Sequence, residues 1–218
     1  MFEYEVELVD RFIMLKNISQ NSITECPFRW GSIDVVEYQL DRIKFLNSTQ
    51  INFLKDKDNL SIFSFLYRKK GHTLDYLAES TRISKNIVKN RMKKMIELSI
   101  CDLSNNLYFI NNNIQFPDIV VRGYEMKLND IKKAINQAVV NKKYCDYSYI
   151  VMPKNKYSLC LEYKGLIKKC GLGLIVVDEK KVYEIIRPRR VDHNKNYKLK
   201  SKIFILDYLS SLNQLSVE

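Results

Sequence analysis

Residues 119–152, IVVRGYEMKLNDIKKAINQAVVNKKYCDYSYIVM, constrain the fold of this chain more than any other stretch. A β-branched run leads into Glu125-Met126-Lys127. Apolar Ile131, Ala134, Ile135, Ala138 and Val139 then recur at helical spacing, and Tyr149-Ile150-Val151-Met152 closes on a second strand. The spacing predicts a strand, helix, strand unit. In an extended strand side chains alternate, so the Glu125 carboxylate and the Lys127 ammonium are expected on one face of a sheet.

An acid followed two residues later by lysine is a weak signal, since Asp130-Ile131-Lys132, Asp178-Glu179-Lys180 and Glu179-Lys180-Lys181 fit it too. Context separates them. Asp130 opens the helix, where an acid suits the positive end of the dipole. Asp178 and Glu179 lie in a polar turn between Leu174-Ile175-Val176-Val177 and Val182-Tyr183-Glu184-Ile185-Ile186, which reads as a hairpin. Only Glu125-Met126-Lys127 ends a strand that runs into an amphipathic helix. That helix carries Gln137 and is followed by Tyr144.

The chain has 218 residues and a net charge of +11, unevenly spread. Residues 1–59 hold 7 Lys and Arg against 10 Asp and Glu; residues 60–110 hold 9 against 4, and residues 140–218 hold 16 against 8. Two basic blocks beside an acidic N-terminal third suit a protein that attracts phosphates while reserving carboxylates for another task. A compositional bias toward Lys, Asn and Ile is the plainer explanation. No apolar run approaches the roughly 18 residues of a membrane span, and the acidic first ten residues are unlike a signal peptide. A cytoplasmic location is expected, with no membrane partner. The five cysteines lack CxxC pairing and are expected as reduced thiols.

Residues Glu5 to Leu15 read as a helix with a broad apolar face and Glu7 on its polar side. Gly31 permits a tight approach before a strand formed by Ile33, Val35, Val36 and Tyr38. Asp34 is the informative residue there, because a carboxylate flanked by apolar neighbours is expensive to bury unless paired or bound to metal.

Residues 60–110 differ in texture. A first helix around Ile62–Leu66 ends at Gly71. Thr73 can cap a second, Leu74 to Ser80, and Ser84 a third, Lys85 to Leu98. A hairpin of 100–103 and 107–110 follows across a Ser-Asn-Asn turn. Three helices and a hairpin predict a winged helix-turn-helix. If it reads DNA, the third helix offers Lys85, Asn86, Lys89, Asn90 and Lys93 to the major groove, with Asn105 and Asn106 at the wing tip. A protein-contact role with solvated lysines is the alternative.

Beyond Met152 a basic helix is expected over Ser158 to Cys170. Then come the hairpin, a basic edge at Arg187-Pro188-Arg189-Arg190 that could hold phosphate, and a packing helix over Lys202 to Leu212. Linkers are expected near 47–59 and 111–116. The division follows as 1–46 with 114–218 for the sheet-bearing part, and 47–113 for an inserted helical module.

YEMK, the helix with NQA, CDYSYIVMP, GLGLIVVDE and the closing RPRR together resemble the core of the PD-(D/E)XK nuclease superfamily, and most closely its small prokaryotic members that carry a winged helix between the two active-site strands. The resemblance covers about half of the chain, on its C-terminal side, with a weaker match near the N-terminus. It implies an α/β restriction endonuclease-like fold, a mixed central sheet flanked by helices, with an inserted winged helix-turn-helix domain. It also implies Mg2+- or Mn2+-dependent hydrolysis of DNA, duplex or branched. Asp34 matches the family's first aspartate, in the pattern Gly-x-x-Asp followed by two apolar residues. Asp34, Glu125 and the Met126 carbonyl then hold the metal, Lys127 orients water or neutralises charge, Gln137 braces the site and Glu7 contributes from the N-terminal helix. Pro117-Asp118 spells the family name, but seven residues at about 3.3 Å each keep Asp118 from sharing an ion with Glu125 on one strand. Asp118 is therefore the runner-up. Arg187, Arg189 and Arg190 join the DNA-binding set, and a homodimer is possible. The rival reading is an inactive nuclease-like DNA-binding regulator or assembly protein, and a third is an adaptor whose winged helix meets protein.

Overall fold

The computed structural model describes residues 2–29, 31–40, 46–67, 70–114, 118–191 and 195–212. The elements, in chain order, are α1 (Glu5–Lys16), β1 (Ser22–Arg29), β2 (Gly31–Leu40), α2 (Ser48–Leu54), α3 (Lys57–Leu66), α4 (Leu74–Thr81) and α5 (Lys85–Glu97). There follow β3 (Cys101–Ser104), β4 (Leu107–Ile110), β5 (Ile119–Met126), α6 (Ile131–Asn141), β6 (Tyr147–Pro153), α7 (Tyr157–Glu162), α8 (Lys164–Lys169), β7 (Gly173–Val177), β8 (Val182–Ile186) and α9 (Lys195–Ser211). The chain is mixed α/β and divides into two compact units, 1–39 with 119–194 and 40–118 with 195–218.

The first unit is built on a mixed sheet in the order β1-β2-β5-β6-β7-β8. β5, β6 and β7 run parallel, whereas β1 pairs antiparallel with β2 and β7 with β8. The strand, helix, strand unit read from residues 119–152 is β5, α6, β6. Strand alternation sorts the core into two layers. Ile150, Met152, Leu174 and Val176 pack with Ile131, Ala134, Ile135 and Ala138 of α6. Tyr149, Val151, Ile175 and Val177 pack with Leu8 and Phe12 of α1. Tyr124 and Met126 belong to the α1 layer, so Glu125 between them is directed toward α6.

In the second unit α9 packs against α2 and α3. Thr73 caps α4 by accepting the Tyr76 N–H, as its position before Leu74 predicts. The β3–β4 hairpin turns through Asn105 and Asn106 at φ 49° and 60°, a left-handed pair that asparagine tolerates. A bridge between His72 and Tyr108 ties the start of α4 to β4.

Three expectations change. The terminal helix belongs with the helical unit, because Leu199, Ile203, Leu206 and Leu209 bury there in place of the sheet-bearing part. The polar stretch 47–59 is helical: Asn47 accepts the Gln50 N–H while the Gln50 side chain accepts the Asn47 N–H, a reciprocal cap that starts α2. The basic helix of 158–170 is two short helices separated at Tyr163. The 111–116 linker runs partly outside the described residues.

All five cysteines are free. Burial pushes the Cys26 and Cys101 thiols up to about 12 and that of Cys160 up to about 11, and Cys145 is fully buried. Since the thiolate is the nucleophile, a chromogenic thiol reagent at mildly alkaline pH is expected to titrate only half-buried Cys170 promptly, and all five after denaturation. Rapid reaction of several thiols in the native protein contradicts this packing.

Candidate functional site

β5 ends at Met126, and Lys127 follows where the chain leaves the sheet toward α6. The Lys127 ammonium is almost enclosed and donates to its neighbour's carbonyl, Met126 O, at 2.7 Å. Three carboxylates from three elements surround it: Glu5 of α1 at 3.0 Å, Asp34 of β2 at 3.6 Å and Glu125 of β5 at 3.9 Å. Asp34 and Glu125, 91 positions apart in the chain, thus converge on one nitrogen.

Each acid is held in place. Asp34 Oδ2 accepts the Met126 N–H at 2.7 Å, which locks β2 against the end of β5. Glu125 is fully buried, and its Oε2 accepts from the Asn141 side-chain amide at 2.9 Å. Burial pushes the Asp34 carboxyl above its usual range, against the Met126 hydrogen bond and the Lys127 charge, with Glu25 and Glu5 adding to the rise. At Lys127 burial acts to lower the pKa, but the surrounding acids win and raise it. The two partners differ because Lys127 faces three acids, whereas Asp34 faces one cation and further negative charge.

The unfolded Asp34 titrates near 3.8 and the folded one higher, so between those values the folded state holds the extra proton. Asp34's contribution therefore falls as pH rises through that window and stays low above it. Asp34→Asn removes the penalty while keeping an acceptor for the Met126 N–H, and is expected to melt higher than wild type at neutral pH by calorimetry. A lower melting temperature there would show that the pairing with Lys127 outweighs burial.

The remaining predicted residues fall elsewhere. Glu7 Oε2 accepts the Glu3 and Tyr4 N–H groups at 2.8 and 3.4 Å, and so caps α1. At 100° per residue, positions 5 and 7 point to opposite sides of a helix. Glu5 reaches Lys127 in place of Glu7. Gln137 is on α6, but Asn141 one turn on makes the hydrogen bond to Glu125, while Gln137 Oε1 is buried without a hydrogen-bond partner among the described residues. Asn141 was findable as the next polar position on the Gln137 stripe; Glu5 carried no such signal. Asp118 precedes β5, is largely exposed and belongs with Lys202 to the second unit, where the two pair at 3.8 Å. Lys85, Asn86, Lys89, Asn90 and Lys93 all lie exposed on α5, and Arg187, Arg189 and Arg190 lie exposed just past β8.

Compared with protein-family models, with curated proteins and with solved structures, the chain matches none. Among the described residues no group of three or more His, Cys, Asp or Glu side chains is arranged to hold a metal ion. Two carboxylates and the Met126 carbonyl are nonetheless hard oxygen donors, the kind that a magnesium-like cation shares with waters and a substrate phosphate. With Glu5 counted, three formal negative charges face one ammonium. A cavity lined in part by Pro153, Lys154, Val177, Asp178 and Lys180 lies at the C-terminal ends of β6 and β7, the same edge of the parallel strands as Lys127, where open α/β sheets bind ligands. Among the described residues no helix is long and apolar enough to cross a membrane.

Proposed function

We propose that the chain is a metal-dependent nuclease that hydrolyses phosphodiester bonds in DNA, with a PD-(D/E)XK-type site and a winged helix that positions the duplex. One observation carries this reading: the Asp34 and Glu125 carboxylates, brought from distant parts of the sequence, meet at the Lys127 ammonium beside the Met126 carbonyl. Asp34, Glu125 and Met126 O would hold the ion, which supplies a bound water of lowered pKa and stabilises charge on phosphate oxygens.

The chain's own groups do the rest. Asn141 fixes the Glu125 carboxylate and the Met126 N–H fixes that of Asp34, so both donors are oriented before substrate arrives. Lys127, kept charged by its acids, orients a nucleophilic water or meets the charge that builds on the phosphoryl oxygens. The α5 face places Asn86 and Asn90 one turn apart among lysines; Asn can pair with adenine edges while lysines grip phosphate.

The rival is a DNA-binding regulator without catalysis, in which the three acids around Lys127 serve only to pair it, since among the described residues no group of three or more such side chains is arranged to hold a metal ion. Incubating the purified full-length chain with supercoiled plasmid, in Mg2+ or Mn2+ and separately in excess chelator, decides between them. Nicked and linear products that require the metal are expected. A mobility shift with no cutting in either metal assigns the chain to the regulator class.

A further inference from the structure

The acids around Lys127 repel the backbone that a nuclease must hold, so attraction has to come from elsewhere on the same unit. Past β8 the chain turns through Arg187 and Arg189 beside the end of α8. There Lys168, Gly171, Arg187 and Arg189 help to line a cavity of about 350 Å³. Gly171, at φ +67°, lets the chain double back. A Cβ in its place would lie 3.4 Å from Lys142 Nζ and 3.5 Å from Arg189 Cβ, so both side chains flank it closely.

Carbonyls that would repel an anion here are already engaged. Cys170 O accepts from Lys142 Nζ at 2.6 Å, Lys168 O from the Gly171 N–H at 3.0 Å, Ile167 O from the Leu172 N–H at 3.1 Å and Gly171 O from the Arg189 N–H at 3.1 Å. The cations are not engaged in the same way. Among the described residues Lys168 and Arg189 have no ion pair, and Arg187 has only Glu184 at 3.6 Å, on a side chain 91% exposed. Concentrated positive charge with free donors and blocked acceptors is what a phosphate group requires.

The pocket is also in register with the candidate site. Glu125 pairs with Ile150, Ile150 with Leu174 and Leu174 with Ile186. Arg187 therefore lies close to the level of Glu125, three strands across, about 14 Å at the usual spacing near 4.8 Å. That is about four nucleotides of rise along one DNA strand.

We propose that the pocket formed by Lys168, Arg187 and Arg189 around Gly171 binds a backbone phosphate of nucleic acid, some four nucleotides from the bond presented to Lys127. The inference rests on the nuclease reading, and its test avoids cleavage. Full-length wild type and Lys168→Ala/Arg189→Ala are titrated with a fluorescent DNA duplex across a salt series in chelator. Inorganic phosphate is titrated separately at constant ionic strength, read by the Gly171 amide resonance. Both variant positions are surface side chains, and circular dichroism and melting temperature are expected to be unchanged. The double variant is expected to bind DNA about tenfold or more weakly, with the log–log salt slope smaller by about one to two, and phosphate is expected to move the Gly171 resonance in wild type alone. Unchanged DNA affinity and slope overturn the proposal even if phosphate moves that resonance, since the pocket then takes another anion. A silent resonance in wild type overturns it as well. A chain that shows both effects yet never cuts DNA keeps the pocket and loses the nuclease reading.

Discussion

Lys127→Ala is expected to lower the rate of the proposed metal-dependent plasmid nicking by about 10²–10³-fold, the usual effect of removing one preorganised group of the kind proposed for Lys127. Affinity for the same DNA in chelator should stay near wild type, because the ammonium is nearly buried among acids and adds little to the outward field. The variant also reports on the site through pH. Without the ammonium, Glu5, Asp34 and Glu125 face one another uncompensated, and protonation relieves them. The melting-temperature gap to wild type should therefore narrow as pH falls from neutrality into the carboxylate range. A purely structural lysine at the surface would produce neither the kinetic loss nor the pH-dependent gap. Cutting at a near-normal rate by the variant removes Lys127 from the chemistry, and with it the proposed mechanism.

Phe12→Ala is expected to destabilise the chain by about 3–5 kcal/mol, the range for emptying a fully buried aromatic site. Phe12 has no exposed surface, its ring centroid is 4.8 Å from that of Tyr124, and Tyr124 stacks on Tyr149 at 4.9 Å. These rings glue α1 to β5 and β6. The Tyr124 hydroxyl hydrogen-bonds Glu37, which also pairs with Lys16 of α1 at 2.7 Å, so the layer has a polar rim that a collapsed core would disturb. The loss should appear as a lower urea midpoint with little change in slope, and Phe12→Leu should lose less because most of the volume stays filled. α1 also carries Glu5 to Lys127, so the alanine variant should lose the proposed nuclease activity at temperatures where it remains folded. An unfolding free energy within about 1 kcal/mol of wild type would mean that α1 is not a wall of this core.

Much of this arrangement could be read from residue order. Glu125-Met126-Lys127 ends a strand, α6 and β6 follow, and Asp34 lies in an apolar strand, because each depends on periodicity and local burial that neighbouring residues dictate. Thr73 as a cap and the Asn105-Asn106 turn follow from backbone preferences of single residues. Polar 47–59 hid a helix because its start depends on a reciprocal side-chain cap and not on an apolar stripe.

The sequence by itself determined the mixed α/β class and which acids and lysine are candidates, since strand and helix periods are local properties of the chain. Only the tertiary structure decided that Glu5 and not Glu7 turns toward Lys127, that Asn141 and not Gln137 holds Glu125, and that the last helix joins the other unit. Those outcomes depend on the rotation of a helix about its axis and on which apolar surface a distant segment finds, and neither quantity is written in the spacing of neighbouring residues.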